Sequence, residues 1–174
     1  RSDVEIKELE VTVALGLTDP PEGAFTDPRH PKLGWRLYSI DAEKFNQPIN
    51  WTKLRVDYVI PEYGSELTGE SYILEMGFER LNGVDFKKGC YVGQEVTARM
   101  KHKTELHKGL VKIGSEETMV NGEELFLNDK PIGSVLTVYD RSALAYVRLK
   151  NRDEVLSTKS SKKIFVDTNP ISSN

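Results

Sequence analysis

One ten-residue segment, Phe86–Glu95, gathers most of the residue types in this sequence that can carry out chemistry. It contains Cys90, the only cysteine among 174 residues. Two lysines and a glycine precede the cysteine, and a tyrosine, a second glycine and a Gln-Glu pair follow it within five residues. Because a thiolate is both a nucleophile and a metal ligand, Cys90 is the candidate reactive centre.

A helix is predicted directly after the cysteine, over roughly residues 93–101. Cys90 then lies just before the helix N-terminus, where unpaired amides and the macrodipole favour a negative charge. The two preceding lysines add positive potential, and both effects favour the thiolate. Gly89 and Gly93 allow a tight turn and the close approach of a ligand. The alternative is that Cys90 is a small buried hydrophobic residue, the commoner fate of a lone cysteine.

The polar residues after the cysteine are open to two interpretations. Gln94 offers both a donor and an acceptor, and Glu95 is placed either to bind a cationic or amide-like group or to complement the helix dipole. Arg99 begins a basic cluster that forms either a solvated helix end or a seat for an anionic ligand or partner. The three histidines lack metal-site spacing, and one cysteine cannot hold an iron–sulfur cluster alone, so no self-contained metal site is predicted.

Composition narrows the class of protein. Hydrophobic residues make up 38% and charged residues 29% of the chain, as in a globular protein with a packed core. The net charge of −3 gives no reason to expect direct nucleic-acid binding. No apolar run approaches the roughly 18 residues that a membrane helix needs, so no membrane partner is expected.

Periodicity and turn chemistry predict a mixed architecture. Strands are predicted in the second half of Val4–Leu15 and over Leu33–Tyr38, and Asn50 is the predicted N-cap of a short helix over Trp51–Val59. The segment Tyr72–Phe78 is compatible with either helix or strand. Short β segments then alternate with turns, which favours a small barrel or sandwich. These segments are Gly109–Ile113, Glu124–Leu127, Ile132–Tyr139, Leu144–Leu149 and Lys163–Val166.

The segment Lys88–Glu95 resembles the signature Lys-Gly-Cys-(Tyr/Phe)-x-Gly-Gln-Glu of the YgfZ-type folate-binding proteins. That family includes mitochondrial iron–sulfur assembly factors and is related to the glycine-cleavage T-protein, an aminomethyltransferase. The resemblance reaches from about Asp27 to Val147. Further segments that carry it are Asp27–Arg29, Leu33–Leu37, Leu74–Gly77, Asn82–Phe86, Gly133–Val135 and Ala143–Val147.

The resemblance implies an α+β fold, with a T-protein-like mixed α/β body followed by a small C-terminal β-barrel. The corresponding domains are a folate-binding region over 1–103, the barrel over 104–167 and a tail over 168–174. Family members have a sizeable N-terminal segment ahead of this region, so the chain is predicted to be truncated at its N-terminus. Part of the folate site is then expected to lie outside it.

The family further implies tetrahydrofolate or a related folate as cofactor, and iron–sulfur assembly or client proteins as partners. It also implies indirect support of tRNA modification through an iron–sulfur enzyme. Glu75 is expected to bind the pterin ring, because a carboxylate can accept two N–H bonds from a 2-amino-pyrimidinone edge. The complete set of expected cofactor-binding residues is Glu75, Lys88, Gly89, Tyr91, Gly93, Gln94, Glu95 and Arg99.

Three functions remain open at this stage. The favoured one is a folate-binding accessory factor for iron–sulfur assembly or repair, in which Cys90 acts by redox chemistry or by transient ligation of a cluster shared with a partner. The second is a tetrahydrofolate-dependent aminomethyltransferase, and the third is a binding module in which Cys90 is only packed. The bacterial cytoplasm is the favoured location, with the mitochondrial matrix expected for a eukaryotic chain.

Overall fold

The computed structural model describes residues 3–103 and 105–168, which form two compact units that divide between Ile49 and Asn50. The domain boundary predicted between residues 103 and 104 comes directly after the last residue of the second helix. That boundary marks a change of secondary structure within the second unit, and the division into 1–103 and 104–167 stays a prediction.

The first unit is built on a three-stranded antiparallel sheet, with β3 between β1 and β2. The strands are β1 (Thr12–Gly16), β2 (Phe25–Thr26) and β3 (Trp35–Ser39). The strand expected within Val4–Leu15 therefore begins only at Thr12. The reason is that Thr12 pairs with Ser39, the last residue of β3, and within the described part of the chain residues 3–11 have no partner strand.

A buried carboxylate braces the turn before β3. Asp27 accepts hydrogen bonds from Arg29 Nη2 at 2.7 Å and from Arg36 Nε at 2.9 Å. Burial alone would raise the pKa of Asp27, but the hydrogen bonds from Arg29 and the two positive charges lower it below its ordinary value. The Asp-Pro-Arg segment therefore stabilises the turn before β3 in this unit.

The second unit holds two helices and a closed six-stranded barrel. The helices are α1 (Trp51–Tyr58) and α2 (Gln94–Lys103). The barrel strands run in the spatial order β4-β7-β6-β5-β8-β9, and β9 closes on β4. They are β4 (Lys108–Gly114), β5 (Glu124–Leu127), β6 (Lys130–Tyr139), β7 (Ser142–Arg148), β8 (Leu156–Thr158) and β9 (Lys163–Val166). The expected α+β class with a small C-terminal barrel is confirmed.

The barrel interior is filled by aliphatic side chains from alternating strand positions. Fully buried examples come from all six strands: Ile113, Leu125, Val135, Ala143, Ala145, Val147, Leu156 and Ile164. Such alternation is the sequence pattern that predicts a barrel or sandwich. The strand β8 was not predicted, because three residues are too short to show a period of two.

The helix α1 packs on the outside of the barrel. Val56 and Val59 contact Leu144, which points away from the barrel interior toward the helix. Asn50 is the N-cap, as expected, with its Oδ1 accepting from the Lys53 amide at 2.9 Å. At the other end Val59 adopts a left-handed conformation with φ of 51°, which is rare for a β-branched residue.

A partly buried arginine holds this strained helix end in place. The guanidinium of Arg80 donates to the carbonyl oxygen of Tyr58 at 3.1 Å and to that of Val59 at 2.7 Å. These are two of the carbonyls that a helix C-terminus leaves without an intrahelical donor. Burial lowers the pKa of Arg80 from its ordinary value. Among the described residues, no helix is long and apolar enough to cross a membrane.

Candidate functional site

A buried ion pair anchors the long segment between the two helices to the barrel. The Glu66 side chain is fully buried and accepts hydrogen bonds from the Arg55 guanidinium and from the Thr137 hydroxyl on β6. Its Oε2 also accepts from the Glu62 amide at 3.0 Å. Arg55 itself is buried and reaches Glu62 Oε2 at 2.7 Å. This network fixes one wall of the cavity that follows.

Between that segment and the barrel lies a cavity of about 290 Å³, here called the hydroxyl-lined cavity. Six hydroxyl groups, two carboxylates and two apolar side chains contribute to its lining. The residues are Ser65, Glu66, Thr68, Glu70, Ser71, Tyr72, Met76, Ser134, Leu136 and Tyr146. Such a lining suits a ligand that is rich in hydrogen-bond donors.

Glu75 lies at the edge of this cavity. Its neighbour Met76 lines the cavity, and its Oε2 accepts a hydrogen bond from the hydroxyl of Tyr146, which also lines it. The Glu75 carbonyl oxygen accepts from the Leu110 amide on β4 at 2.9 Å. The segment Tyr72–Phe78 is therefore neither helix nor strand. It is a series of turns held against the barrel.

Tyr146 is held as a neutral hydrogen-bond donor. Burial and the hydrogen bond to the Glu75 carboxylate both raise its pKa well above the ordinary value for tyrosine. The ammonium of Lys108 lies over the Tyr146 ring, 5.5 Å from the centroid. Tyr146 belongs to the Ala-Leu-Ala-Tyr-Val segment of β7, so the sequence resemblance contained a signal for it, but its link to Glu75 appears only in the fold.

The cysteine segment folds back along α2. Cys90 is exposed and lies four residues before Gln94, the first residue of the helix. The Gln94 side chain accepts from the Tyr91 amide at 3.1 Å, and the Gln94 amide donates to the Tyr91 carbonyl at 3.3 Å. Gln94 therefore fixes the turn that presents Cys90. The interpretation of Cys90 as a buried hydrophobic residue is wrong, because the thiol is exposed.

Cys90 shares a cavity of about 220 Å³, here called the cysteine cavity, with basic side chains. Lys88 and His102 line it, and the Lys88 ammonium lies 5.4 Å from the centroid of the Tyr91 ring. His102 packs its ring edge-on against Phe86, with centroids 6.3 Å apart. From the sequence, His102 is predicted only as a member of the basic cluster that begins at Arg99. Its position on α2, two turns beyond Gln94, is what brings it alongside the folded-back segment.

The remaining expected site residues occupy the outer surface of α2 and the turn before it. Glu95 and Arg99 form an exposed ion pair at 2.6 Å, with i,i+4 spacing. Both line a third cavity together with Gln94 and His102. Gly93 has a φ of 88°, so the turn into the helix requires a residue without a side chain.

The structure thus separates the expected site residues into two places. Residues of the cysteine segment and α2 lie together, whereas Glu75 lies with Tyr146 at the hydroxyl-lined cavity and lines none of the cavities around Cys90. Within residues 3–103 and 105–168, no group of three or more His, Cys, Asp or Glu side chains is arranged to hold a metal ion. The assignments of these residues to folate stay predictions.

Comparison with known proteins identifies proteins that are similar to this chain. No family model matches it. It is 37% identical over 98 residues to the mouse (Mus musculus) iron-sulfur cluster assembly factor IBA57, mitochondrial, covering 52% of this chain and 27% of the relative. The human (Homo sapiens) protein of the same name is 36% identical over 95 residues, covering 50% and 27%. The Neurospora crassa homologue is 36% identical over 98 residues, covering 51% and 22%.

The chain spans about a quarter of the length of the curated relatives it matches. These relatives are mitochondrial by name, so they lend no support to the expected bacterial cytoplasm. Over about half of its own length, this chain is similar to proteins named as IBA57 iron–sulfur cluster assembly factors, which confirms its resemblance to the YgfZ-type family.

Proposed function

We propose that this chain is part of a folate-binding accessory protein for iron–sulfur cluster assembly or repair, with Cys90 as its reactive centre. The observation that carries the proposal is the placement of Cys90. Its thiol is exposed, lines a cavity with Lys88 and His102, and is presented by a turn that Gln94 fixes. The names of the homologues supply the class of substrate, which is an iron–sulfur cluster.

Transient ligation is the role that the chemistry of Cys90 favours. A thiolate is the protein ligand that iron–sulfur clusters use, and an exposed thiol is accessible to a cluster carried by another protein. Because the chain has one cysteine, it cannot form an internal disulfide or supply a full ligand set. A partner that contributes the remaining ligands is therefore part of the proposal.

Folate binding is the second half of the proposal, and the polar groups at the hydroxyl-lined cavity support it. The Glu75 carboxylate can accept N–H bonds from the 2-amino-pyrimidinone edge of a pterin ring. The hydroxyl-lined cavity, at about 290 Å³, lies at the small end of the roughly 300–1,000 Å³ range of ligand pockets. It therefore suits the bicyclic ring of a folate, with the glutamyl tail outside. Bound folate would supply one-carbon or redox chemistry of its own.

The homologues' names also bear on location and on downstream effects. A mitochondrial matrix location is proposed by analogy with them. Support of tRNA modification would be indirect, through an iron–sulfur enzyme that receives its cluster with the help of this protein.

Replacement of Cys90 by serine is expected to abolish the contribution of this chain to cluster loading. The assay is anaerobic conversion of a purified apo [4Fe–4S] enzyme to its active form, supplied by a [2Fe–2S] carrier protein, with and without this chain and with and without tetrahydrofolate. The wild-type chain is expected to raise the rate of conversion. The serine variant is expected to leave it at the rate without the chain, because an alcohol does not replace a thiolate as an iron ligand.

The matched control moves the thiol to another exposed position. Val120 is exposed on the barrel, so Val120→Cys in the Cys90→Ser background keeps one accessible thiol per chain. This variant is expected to remain inactive, since only Cys90 is presented beside Lys88 and His102. Full activity of Cys90→Ser, or rescue by the relocated thiol, would contradict the assignment of Cys90.

A further inference from the structure

Tyr146 joins the hydroxyl-lined cavity to the Glu75 carboxylate. We propose that Tyr146 is a positioning residue, which orients Glu75 to receive the donor-rich edge of a planar heterocyclic ring in this cavity. The inference deepens the folate-binding half of the proposed function and rests on it. The two residues are 71 positions apart in sequence, and the barrel brings them together.

The barrel gives Tyr146 a fixed position from which to act. It lies in the middle of β7, where it pairs with Leu110 on β4 and with Ser134 on β6. Glu75, by contrast, lies in a segment of turns. The main chain of Glu75 is tied to β4 through Leu110, and its side chain is tied to β7 through Tyr146. The hydrogen bond from Tyr146 thus fixes the orientation of a carboxylate that its own segment leaves free to rotate.

The hydrogen bond uses only part of the acceptor capacity of Glu75. Tyr146 donates to Oε2, and within the described parts of the chain no other donor is recorded for the Glu75 side chain. A carboxylate has about four lone-pair sites, so Oε1 and one site on Oε2 remain for a ligand. Two adjacent N–H donors on one ring edge match this arrangement.

The cavity lining favours the same class of ligand. Among the described residues that line it, none is lysine, arginine or histidine. The Lys108 ammonium lies over the Tyr146 ring but does not line the cavity, so none of the described lining residues offers a cation to a phosphate or carboxylate group. Glu66 is already engaged by Arg55 and Thr137, which leaves the exposed Glu70, Glu75 at the cavity edge and the hydroxyls as the available acceptors. Met76 and Leu136 supply apolar surface for the faces of a ring. An uncharged or cationic aminoheterocycle fits this lining better than an anion does.

The test is a binding measurement on the whole chain with pterin (2-amino-4-hydroxypteridine) as the probe, by calorimetry. Tyr146→Phe removes only the hydroxyl and is expected to weaken binding about tenfold, the usual size for loss of a hydrogen bond to a charged group. Tyr139→Phe is the matched control, because Tyr139 lies on the neighbouring strand β6 and its hydroxyl accepts from Asn50 instead. Its affinity for pterin is expected to equal that of the wild type.

A second readout separates positioning from a general structural effect. Spectrophotometric titration of the tyrosines, without any ligand, is expected to show one hydroxyl that ionises later than the others. That late ionisation is expected to disappear in Tyr146→Phe and to move to lower pH in Glu75→Gln, because the carboxylate contributes to the raised pKa of Tyr146. Retention of the late ionisation in Glu75→Gln would overturn the link between the two residues.

The outcomes distinguish this inference from the proposed function beneath it. If the wild type binds pterin, Glu75→Gln weakens binding and Tyr146→Phe does not, folate binding stands and the positioning role is overturned. If the wild type binds neither pterin nor tetrahydrofolate, both fail together. Weaker binding in Tyr146→Phe, with unchanged binding in Tyr139→Phe, supports the inference.

Discussion

Replacement of Arg55 by alanine is expected to lower the free energy of unfolding by about 3–5 kcal/mol, the range observed when one partner of a buried ion pair is removed. Arg55 is 4% exposed and the Glu66 side chain is fully buried. Without the guanidinium, the Glu66 carboxylate loses its compensating charge in a place that water does not reach. The measurement is equilibrium unfolding in urea, followed by circular dichroism.

The control for this prediction is a neighbouring ion pair on the same helix. Lys53 lies on the exposed side of α1 and contacts Asp57 at 2.5 Å. Solvent screens an exposed i,i+4 pair, so Lys53→Ala is expected to change stability little. A loss below about 1 kcal/mol in Arg55→Ala would show that the network does not hold the inter-helix segment on the barrel.

Replacement of Gly133 by alanine is expected to destabilise the barrel by about 2–3 kcal/mol, toward the upper end of the cost of overpacking. A methyl group there would lie 2.3 Å from the Tyr146 carbonyl oxygen and 2.8 Å from Val147 Cγ1. The first contact is with the backbone of a paired strand, which cannot turn away as a flexible side chain can. The expected strain therefore displaces β7 at Tyr146.

Gly69→Ala is the matched control, because nothing lies within 4 Å of the added methyl group and the backbone there is not left-handed. Its stability is expected to stay within about 0.5 kcal/mol of the wild type, as for most surface substitutions. Both variants are compared by thermal and urea unfolding. Equal stability of the two would contradict the close packing of β6 on β7.

Local sequence patterns predicted the helices and strands that are determined by residues close together in the sequence. Asn50 is a capping residue, and α1 follows it as expected. Glu124–Leu127 and Lys163–Val166 form strands over the same residues that their β propensity between turns indicates. The helix after the cysteine was also predicted, and it runs two residues further than expected.

Where local sequence patterns failed to predict the conformation of a segment, contacts with residues distant in the sequence determine it. Tyr72–Phe78 carries apolar residues that suit helix or strand, yet hydrogen bonds to the barrel hold Glu75 in a turn. Likewise, the strand predicted in the second half of Val4–Leu15 begins only at Thr12, because its partner β3 ends at Ser39. Strand pairing depends on residues that are far apart in the sequence, so the pattern within ten consecutive residues does not predict it.

In the candidate site, too, some features follow from local sequence and others depend on long-range packing. The residues around Cys90 are close in sequence, so their proximity in the fold was predictable from the motif. The exposure of the thiol was not, since lone cysteines are more often buried. The Glu75–Tyr146 pair depends on the closure of the barrel, which no local signal describes.

The central claim is that Cys90 ligates a cluster shared with a partner, and thiol protection tests it most directly. The chain is mixed anaerobically with a [2Fe–2S] carrier protein, treated with iodoacetamide, and the modified fraction of Cys90 is read by mass spectrometry. Cys90 is expected to be protected while the cluster is present and to become reactive after chelation of the iron. It is expected to stay reactive with the cluster-free carrier. Equal modification of Cys90 with and without the cluster would contradict the claim.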